Sequence, residues 1–250
     1  GQARAAFLPG RQGRLNLSLE GPLAGRTALV TGASKGIGAA TALALAQAGA
    51  HVVLTARDTR GLEAVEDRIH AAGGTATIAP VDLAEQDGIA RLAAAVADRW
   101  DRLDVLVIAA AYLPMLGPVT QIDPKQFGQA VTVNVLATQA LLASFDPLLK
   151  RSDAGRVIGI TSSVGSAPRA YWGAYAATKA AFETLLVTYA LEAAAISPVR
   201  AAILDPGATR TQMRAKAYPG EDPASVKPPE TVAARIAQLL VEDFPNAHRE

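Results

Sequence analysis

From residue 27 onward the chain alternates short apolar runs rich in β-branched residues with alanine-rich stretches of helical length, and few folds accept that rhythm. The apolar runs cover 27–31, 51–55, 75–81, 103–109, 156–161 and 198–204, and they read as strands. Between them lie 39–48, 60–72, 85–100, 126–149 and 174–194, whose length and high content of Ala, Leu and Glu predict helices. Nearly continuous apolar strands each followed by a helix cannot pair as hairpins. They predict an α/β fold with a parallel sheet covered on both faces and wound by right-handed crossovers. No internal repeat interrupts the pattern.

A chain of 250 residues that is 50% hydrophobic is long enough to bury most of its apolar surface in one doubly wound unit. We place that unit at 23–250 and read 1–22, rich in Gly, Arg and Pro, as a mobile N-terminal tail. Within the tail Leu15, Leu17 and Leu19 alternate with polar residues, so a short edge strand or partner-binding arm is the competing reading. A formal charge of +1 supplies no field for nucleic acid or an anionic membrane. The absence of cysteine excludes disulfides, thiol nucleophiles and thiolate metal sites, and no metal site is expected. The apolar run 5–8 is too short for a signal segment, and no stretch of about 18 apolar residues follows. The expectation is a cytoplasmic protein whose partners are small molecules and copies of itself.

The first strand runs directly into Thr31-Gly32-Ala33-Ser34-Lys35-Gly36-Ile37-Gly38, and a helix begins there. Glycines let the backbone turn tightly and approach a pyrophosphate, while the helix N-terminus offers unpaired N–H groups and a partial positive charge. Further on, Tyr175 and Lys179 lie one turn apart on one helix face. An ammonium about 4 Å from a phenolate contributes roughly 4 kcal/mol at an effective dielectric near 20. That attraction predicts a phenol losing its proton well below its usual value of about 10, as a general acid or base near neutrality requires.

With its G-x-x-x-G-x-G turn, Asp82, Asn134, Ser162, the Tyr175-Ala176-Ala177-Thr178-Lys179 pattern and Pro206-Gly207, the chain resembles the short-chain dehydrogenase/reductase family from about residue 23 to 241. The resemblance implies a Rossmann sheet, a nicotinamide dinucleotide on the turn, and hydride transfer between a ketone or aldehyde and an alcohol. It implies catalytic roles for Ser162, Tyr175, Lys179 and Asn134. Ser162 is preferred over Ser163 because its spacing to Tyr175 and Gly165 matches the family, and Asn134 matches an asparagine that holds a water in a relay to Lys179. Neighbouring backbone could equally satisfy Asn134. The implied cofactor site comprises Gly32, Ser34, Lys35, Gly36, Ile37, Gly38, Arg57, Asp82, Leu83, Ala109, Tyr175, Lys179, Pro206 and Gly207. Thr209 and Thr211 compete for the carboxamide. Ala56 stands where NAD-preferring relatives carry an acid, and Arg57 and Lys35 match basic positions of NADPH-preferring ones. NADP(H) is therefore expected ahead of NAD(H). Homodimers or homotetramers are the implied assembly.

Two departures matter. Where the family has Asn-Asn-Ala-Gly after the fourth strand, this chain has Ile108-Ala109-Ala110-Ala111, losing a side chain that bridges strands. No glycine-rich seventh strand follows the last helix, so six strands in the order 3-2-1-4-5-6 are expected. Tyr112, Leu113, Pro114, Met115, Tyr171, Trp172, Met213 and Tyr218 predict an apolar, aromatic substrate pocket, with Arg169 or Arg214 meeting an anionic group. The segment 209–229 and Ala170-Tyr171-Trp172-Gly173 resemble a proteobacterial subgroup of unassigned substrate. The alternatives are a dinucleotide-binding regulatory or structural protein with little turnover, and a lyase or epimerase on the same fold.

Overall fold

In a computed structural model, which describes residues 20–85, 87–242 and 244–250, the apolar runs form one parallel sheet. The strands are β1 (Thr27–Thr31), β2 (His51–Thr55), β3 (Thr75–Ile78), β4 (Val105–Ile108), β5 (Arg156–Ile160), β6 (Arg200–Leu204) and β7 (His248–Arg249). Their order is β3-β2-β1-β4-β5-β6-β7. The helices are α1 (Gly36–Gln47), α2 (Thr59–Ala71), α3 (Gly88–Ala97), α4 (Pro124–Val131), α5 (Ala137–Lys150), α6 (Gly173–Ala194), α7 (Gln212–Ala217) and α8 (Pro229–Val241).

Alternate strand residues point to opposite faces, and two cores result. Val30, Val52, Val107, Ile158 and Leu204 pack one face against α1, α2 and α8. Leu29, Val53, Leu106, Val157 and Ile203 pack the other against α3, α5 and α6. Burial on both faces explains why the strands read as continuous rather than alternating apolar runs.

The six-strand expectation is corrected: β7 is a seventh strand, pairing in parallel with β6 through Ala202↔His248 and Ile203↔Arg249. It is two residues long and has no apolar run, so periodicity could not reveal it. Side chains hold it in place. Asn246 accepts from Ala201 N at 3.0 Å and donates to Ala190 O at 2.6 Å, and Arg200 donates to Phe244 O at 2.9 Å. The backbone continues the seam: Glu250 N donates to Ile203 O, and Asp205 N donates to Glu250 O at 2.7 Å.

The helix expected over 126–149 spans Pro124–Lys150 and is interrupted by a π turn at Thr132–Leu136 that carries Asn134. By length and composition this stretch is apolar enough to cross a bilayer. Its Ala137, Leu141, Phe145 and Leu148 instead pack on the sheet. The alternation at 15–19 and nearly all of the expected tail lie outside the described residues.

Candidate active site

Beyond the carboxyl ends of the strands lies a cleft of about 890 Å³, lined by the ends of β1, β2, β4, β5 and β6 and by the segments that follow them. Ligands of open α/β sheets bind at this edge. At one end β1 delivers the glycine turn. Gly32 has φ +67°, and a Cβ there would stand 2.9 Å from Ala110 Cα. A Cβ on Gly38 would stand 2.3 Å from Gly32 O, so the turn closes on itself only without side chains. The four residues Ser34, Lys35, Gly36 and Ile37 complete a cradle over the start of α1 that fits a pyrophosphate.

Beside this cradle the cleft carries Arg57, Asp82 and Leu83. Arg57 is 64% exposed and lies 4.0 Å from Asp82 Oδ2, leaving its guanidinium open to a second anion. Asp58, its neighbour, is otherwise engaged: its carboxylate caps α2 by accepting from Gly61 N at 3.1 Å. Asp82 also accepts from Ala84 N at 3.0 Å, so it shapes the turn after β3 while lining the cleft.

At the other end, Ser162 follows β5, and α6 presents Tyr175 and Lys179 to the same cleft. Ser162 makes no side-chain cap bond, whereas the neighbouring Ser163 hydroxyl, which lines the same cleft, accepts from Arg169 at 3.1 Å. Tyr175 and Lys179 are buried at 6% and 2% exposure. Lys179 Nζ donates to Ile160 O at 2.8 Å and lies 4.4 Å from the Phe182 ring centre. Burial lowers Lys179 to about 8, against the opposing pull of Glu183 and Asp205.

The expectation that Lys179 lowers the Tyr175 pKa is corrected for the chain alone. Burial, reinforced by the Asp205 carboxylate, pushes the phenol up. Lys179 Nζ donates to Ile160 O and stands 5.8 Å from the Tyr175 ring centre, and desolvation prevails at the phenol. The phenol therefore holds its proton.

Asn134 does not line the cleft. Its side chain accepts from Tyr112 N at 2.7 Å and donates to Tyr112 O and to Thr178 Oγ1, both at 2.9 Å. Thr178 Oγ1 in turn donates to Tyr175 O at 2.8 Å. Asn134 thus joins the loop after β4 to the first turn of α6.

The segment after β6 folds over the cleft. Thr209 is buried and donates to Pro206 O at 2.9 Å, locking the Pro206-Gly207 turn. Thr211 caps α7 by accepting from Arg214 N, and Lys35 Nζ reaches Gln212 Oε1 at 3.0 Å, tying this segment to the glycine turn. Met213 Sδ lies 3.9 Å from the Tyr175 hydroxyl. Trp172 stands 6.1 Å from the Tyr175 ring and 5.8 Å from Tyr218, and Arg214 stacks 3.7 Å above Tyr218. Ala109, Tyr112 and Leu113 line the same cleft, whereas Met115 and Tyr171 are exposed.

Three supporting residues escaped the sequence reading. Thr31 Oγ1 accepts from Ala109 N and Ala110 N, both at 3.1 Å, so β1 itself supplies the bridge that Ile108-Ala109 lacks. Glu183, one turn beyond Lys179, accepts from Thr161 Oγ1 at 2.7 Å. Arg249 of β7 clasps Glu183 at 2.7 and 2.9 Å. The spacing of Glu183 from Lys179 was visible, but nothing marked Arg249 as its partner.

A family profile described as short chain dehydrogenase matches residues 26–222. The oxidoreductase YciK of Escherichia coli (strain K12) is 36% identical over 221 residues, covering 87% of each chain. A Pseudomonas syringae protein assigned to the short chain dehydrogenases superposes with a TM-score of 0.88 at 40% identity, covering 94% of this chain and 96% of that one. A Shigella flexneri 2a str. 301 protein with the same assignment, solved with NADP, gives a TM-score of 0.86 at 34% identity over 93% of this chain and 97% of its own.

Proposed function

The chain belongs to the short chain dehydrogenase family, and on that premise we propose that it interconverts a ketone or aldehyde and the corresponding alcohol with NADP(H) preferred over NAD(H). The observation that carries the reading is the convergence of Ser162, Tyr175 and Lys179 on a cleft whose other end is the glycine cradle.

Bound NADP(H) supplies or accepts the hydride. The glycine turn and the start of α1 would hold its pyrophosphate, with Lys35 and Arg57 beside the adenosine ribose and its phosphate. Pro206, Gly207 and Thr211 would meet the carboxamide; Thr211 suits this better than Thr209, whose hydroxyl is spent inside its own turn. Ser162 would donate to the carbonyl oxygen. Tyr175, buried and protonated, would give its proton to that oxygen as the carbonyl carbon gains the hydride, and would take it back in the reverse direction. Lys179 would orient the ribose and favour the phenolate that forms. Asn134, whose side chain is engaged by Tyr112 and Thr178, would act by positioning this helix. NADP in the Shigella flexneri relative supports the cofactor choice.

The test is a ketone and alcohol panel with both cofactors. Tyr175→Phe should lose about 10²-fold or more in turnover while still binding NADPH. A Tyr175→Phe protein as active as the parent would overturn the role. Arg57→Ala should raise KM for NADPH about tenfold and change KM for NADH little. The alternative of a dinucleotide-binding regulatory protein drew its support from Ile108-Ala111. Thr31 weakens that support by bridging the same strands.

A further inference from the structure

Two arginines line the substrate end of the cleft, and their circumstances differ. Arg214 is committed: its guanidinium makes a bidentate pair with Glu221 at 2.7 and 2.5 Å and lies flat on Tyr218. Its charge is neutralised where it stands. Arg169 has no carboxylate within ion-pair distance among the described residues. Its one side-chain partner there is the neutral hydroxyl of Ser163, at 3.1 Å, which leaves most of its N–H donors available. That contact also anchors the guanidinium. Ser163 follows Ser162 directly, and consecutive Cα atoms are about 3.8 Å apart, so the charge is held beside the residue that would bind the carbonyl. Leu113, Val164, Trp172 and Met213 give this end apolar walls.

We infer that the substrate of this site is an oxo acid, or the matching hydroxy acid, with an apolar body against those walls and a carboxylate received by Arg169. The inference rests on the oxidoreductase reading and deepens it by naming the substrate class. A carboxylate fits better than a phosphate. One planar guanidinium matches a carboxylate with two parallel hydrogen bonds, whereas a phosphate dianion would call on a second cation, and of the nearby cations Arg214 is paired with Glu221 while Lys216 donates to Leu113 O at 3.3 Å. The acid belongs a short spacer away from the reacting carbonyl, because Arg169 is tethered one residue beyond Ser162.

Two matched pairs test this: benzoylformate and 3-benzoylpropionate, each beside its methyl ester. Binding to the NADP-loaded protein is measured by calorimetry and NADPH oxidation is followed separately, for the parent and Arg169→Gln. Arg169 is exposed, so its replacement leaves the core intact. The expected result is that at least one acid binds the parent about tenfold tighter than its ester, and that Arg169→Gln brings that ratio close to one. Equal binding of acid and ester, tighter binding of both esters, no binding of either acid, or an acid preference that survives Arg169→Gln each overturns the inference. An Arg169-dependent acid preference without NADPH oxidation would support the acid site and count against the oxidoreductase reading. Oxidation of NADPH by acid and ester alike would do the reverse.

Discussion

Lys179→Met should stabilise the cofactor-free protein near neutrality while abolishing turnover. Lys179 is 2% exposed, and burial brings it from an ordinary 10.5 to about 8. A lysine lowered on folding is a liability at low pH: below its folded value it is charged in both states, and the folded state carries the full cost. That cost fades as pH rises from about 8 and vanishes above the unfolded value. A difference of this size corresponds to about 3 kcal/mol at roughly 1.4 kcal/mol per pH unit. Methionine removes the charge and packs on Phe182, but it leaves Ile160 O without its donor, which takes back about 1 kcal/mol. The net gain of about 2 kcal/mol should raise Tm by roughly 4–8 °C in a chain of this size. Calorimetric melts of parent and variant at pH 7 and near pH 9.5 read both sign and window. The advantage should be largest at pH 7 and should shrink at the higher pH as the parent's lysine discharges. A Met variant less stable than the parent at pH 7, or an advantage that ignores pH, would refute the reasoning.

Arg249→Met leaves the buried Glu183 carboxylate with only Thr161. Because Arg249 is itself 46% exposed, the loss should be about 2 kcal/mol rather than the larger values of fully buried pairs, read as a fall in denaturation midpoint. Arg249→Lys should recover part of it. Thr31→Val removes the acceptor shared by Ala109 N and Ala110 N and should cost about 1–2 kcal/mol, with Thr31→Ser near the parent in the same urea titration. Gly38→Ala forces a Cβ against Gly32 O and should abolish the fluorescence enhancement of added NADPH; retained NADPH affinity would show that the turn is not the binding cradle. Asn134→Ala removes three hydrogen bonds that join Tyr112 to Thr178 and should lower kcat more than KM, since it loosens the helix that carries Tyr175.

The sheet and the cradle were legible because each announces itself locally. Strands buried on both faces must be apolar without interruption, and a turn that admits no Cβ must spend glycines. Tyr175 and Lys179 drew attention by their spacing on one helix and Ser162 by the family resemblance, and the structure brings all three to one cleft. The features that escaped are those in which distant residues substitute for a missing local signal. Thr31 does the work of a residue 78 positions later, and Arg249 meets Glu183 across 66 positions. The seventh strand is held by Asn246, Arg200 and Arg249 side chains instead of an apolar run, so a reading by periodicity passes over it. In the chain without cofactor the Tyr175 phenol is raised by desolvation instead of lowered by Lys179. Spacing shows that a lysine is near, but not which way its ammonium turns, and here desolvation prevails.

The π turn at Thr132–Leu136 adds one residue to what would otherwise be a regular helix, and each residue advances a helix by about 100°. The helical halves on either side are thus set at different rotations, one serving the loop after β4 and the other the sheet. Removing a single residue there would wind the bulge into regular helix and swing the whole of α4 about its axis, dragging Asn134 off Tyr112 and Thr178. Chain length in this stretch is therefore a parity constraint. Exchanging a side chain there other than Asn134 alters single contacts, whereas an insertion or deletion of one residue disrupts the site as a unit, and lineages of this fold should vary here in composition far more readily than in count.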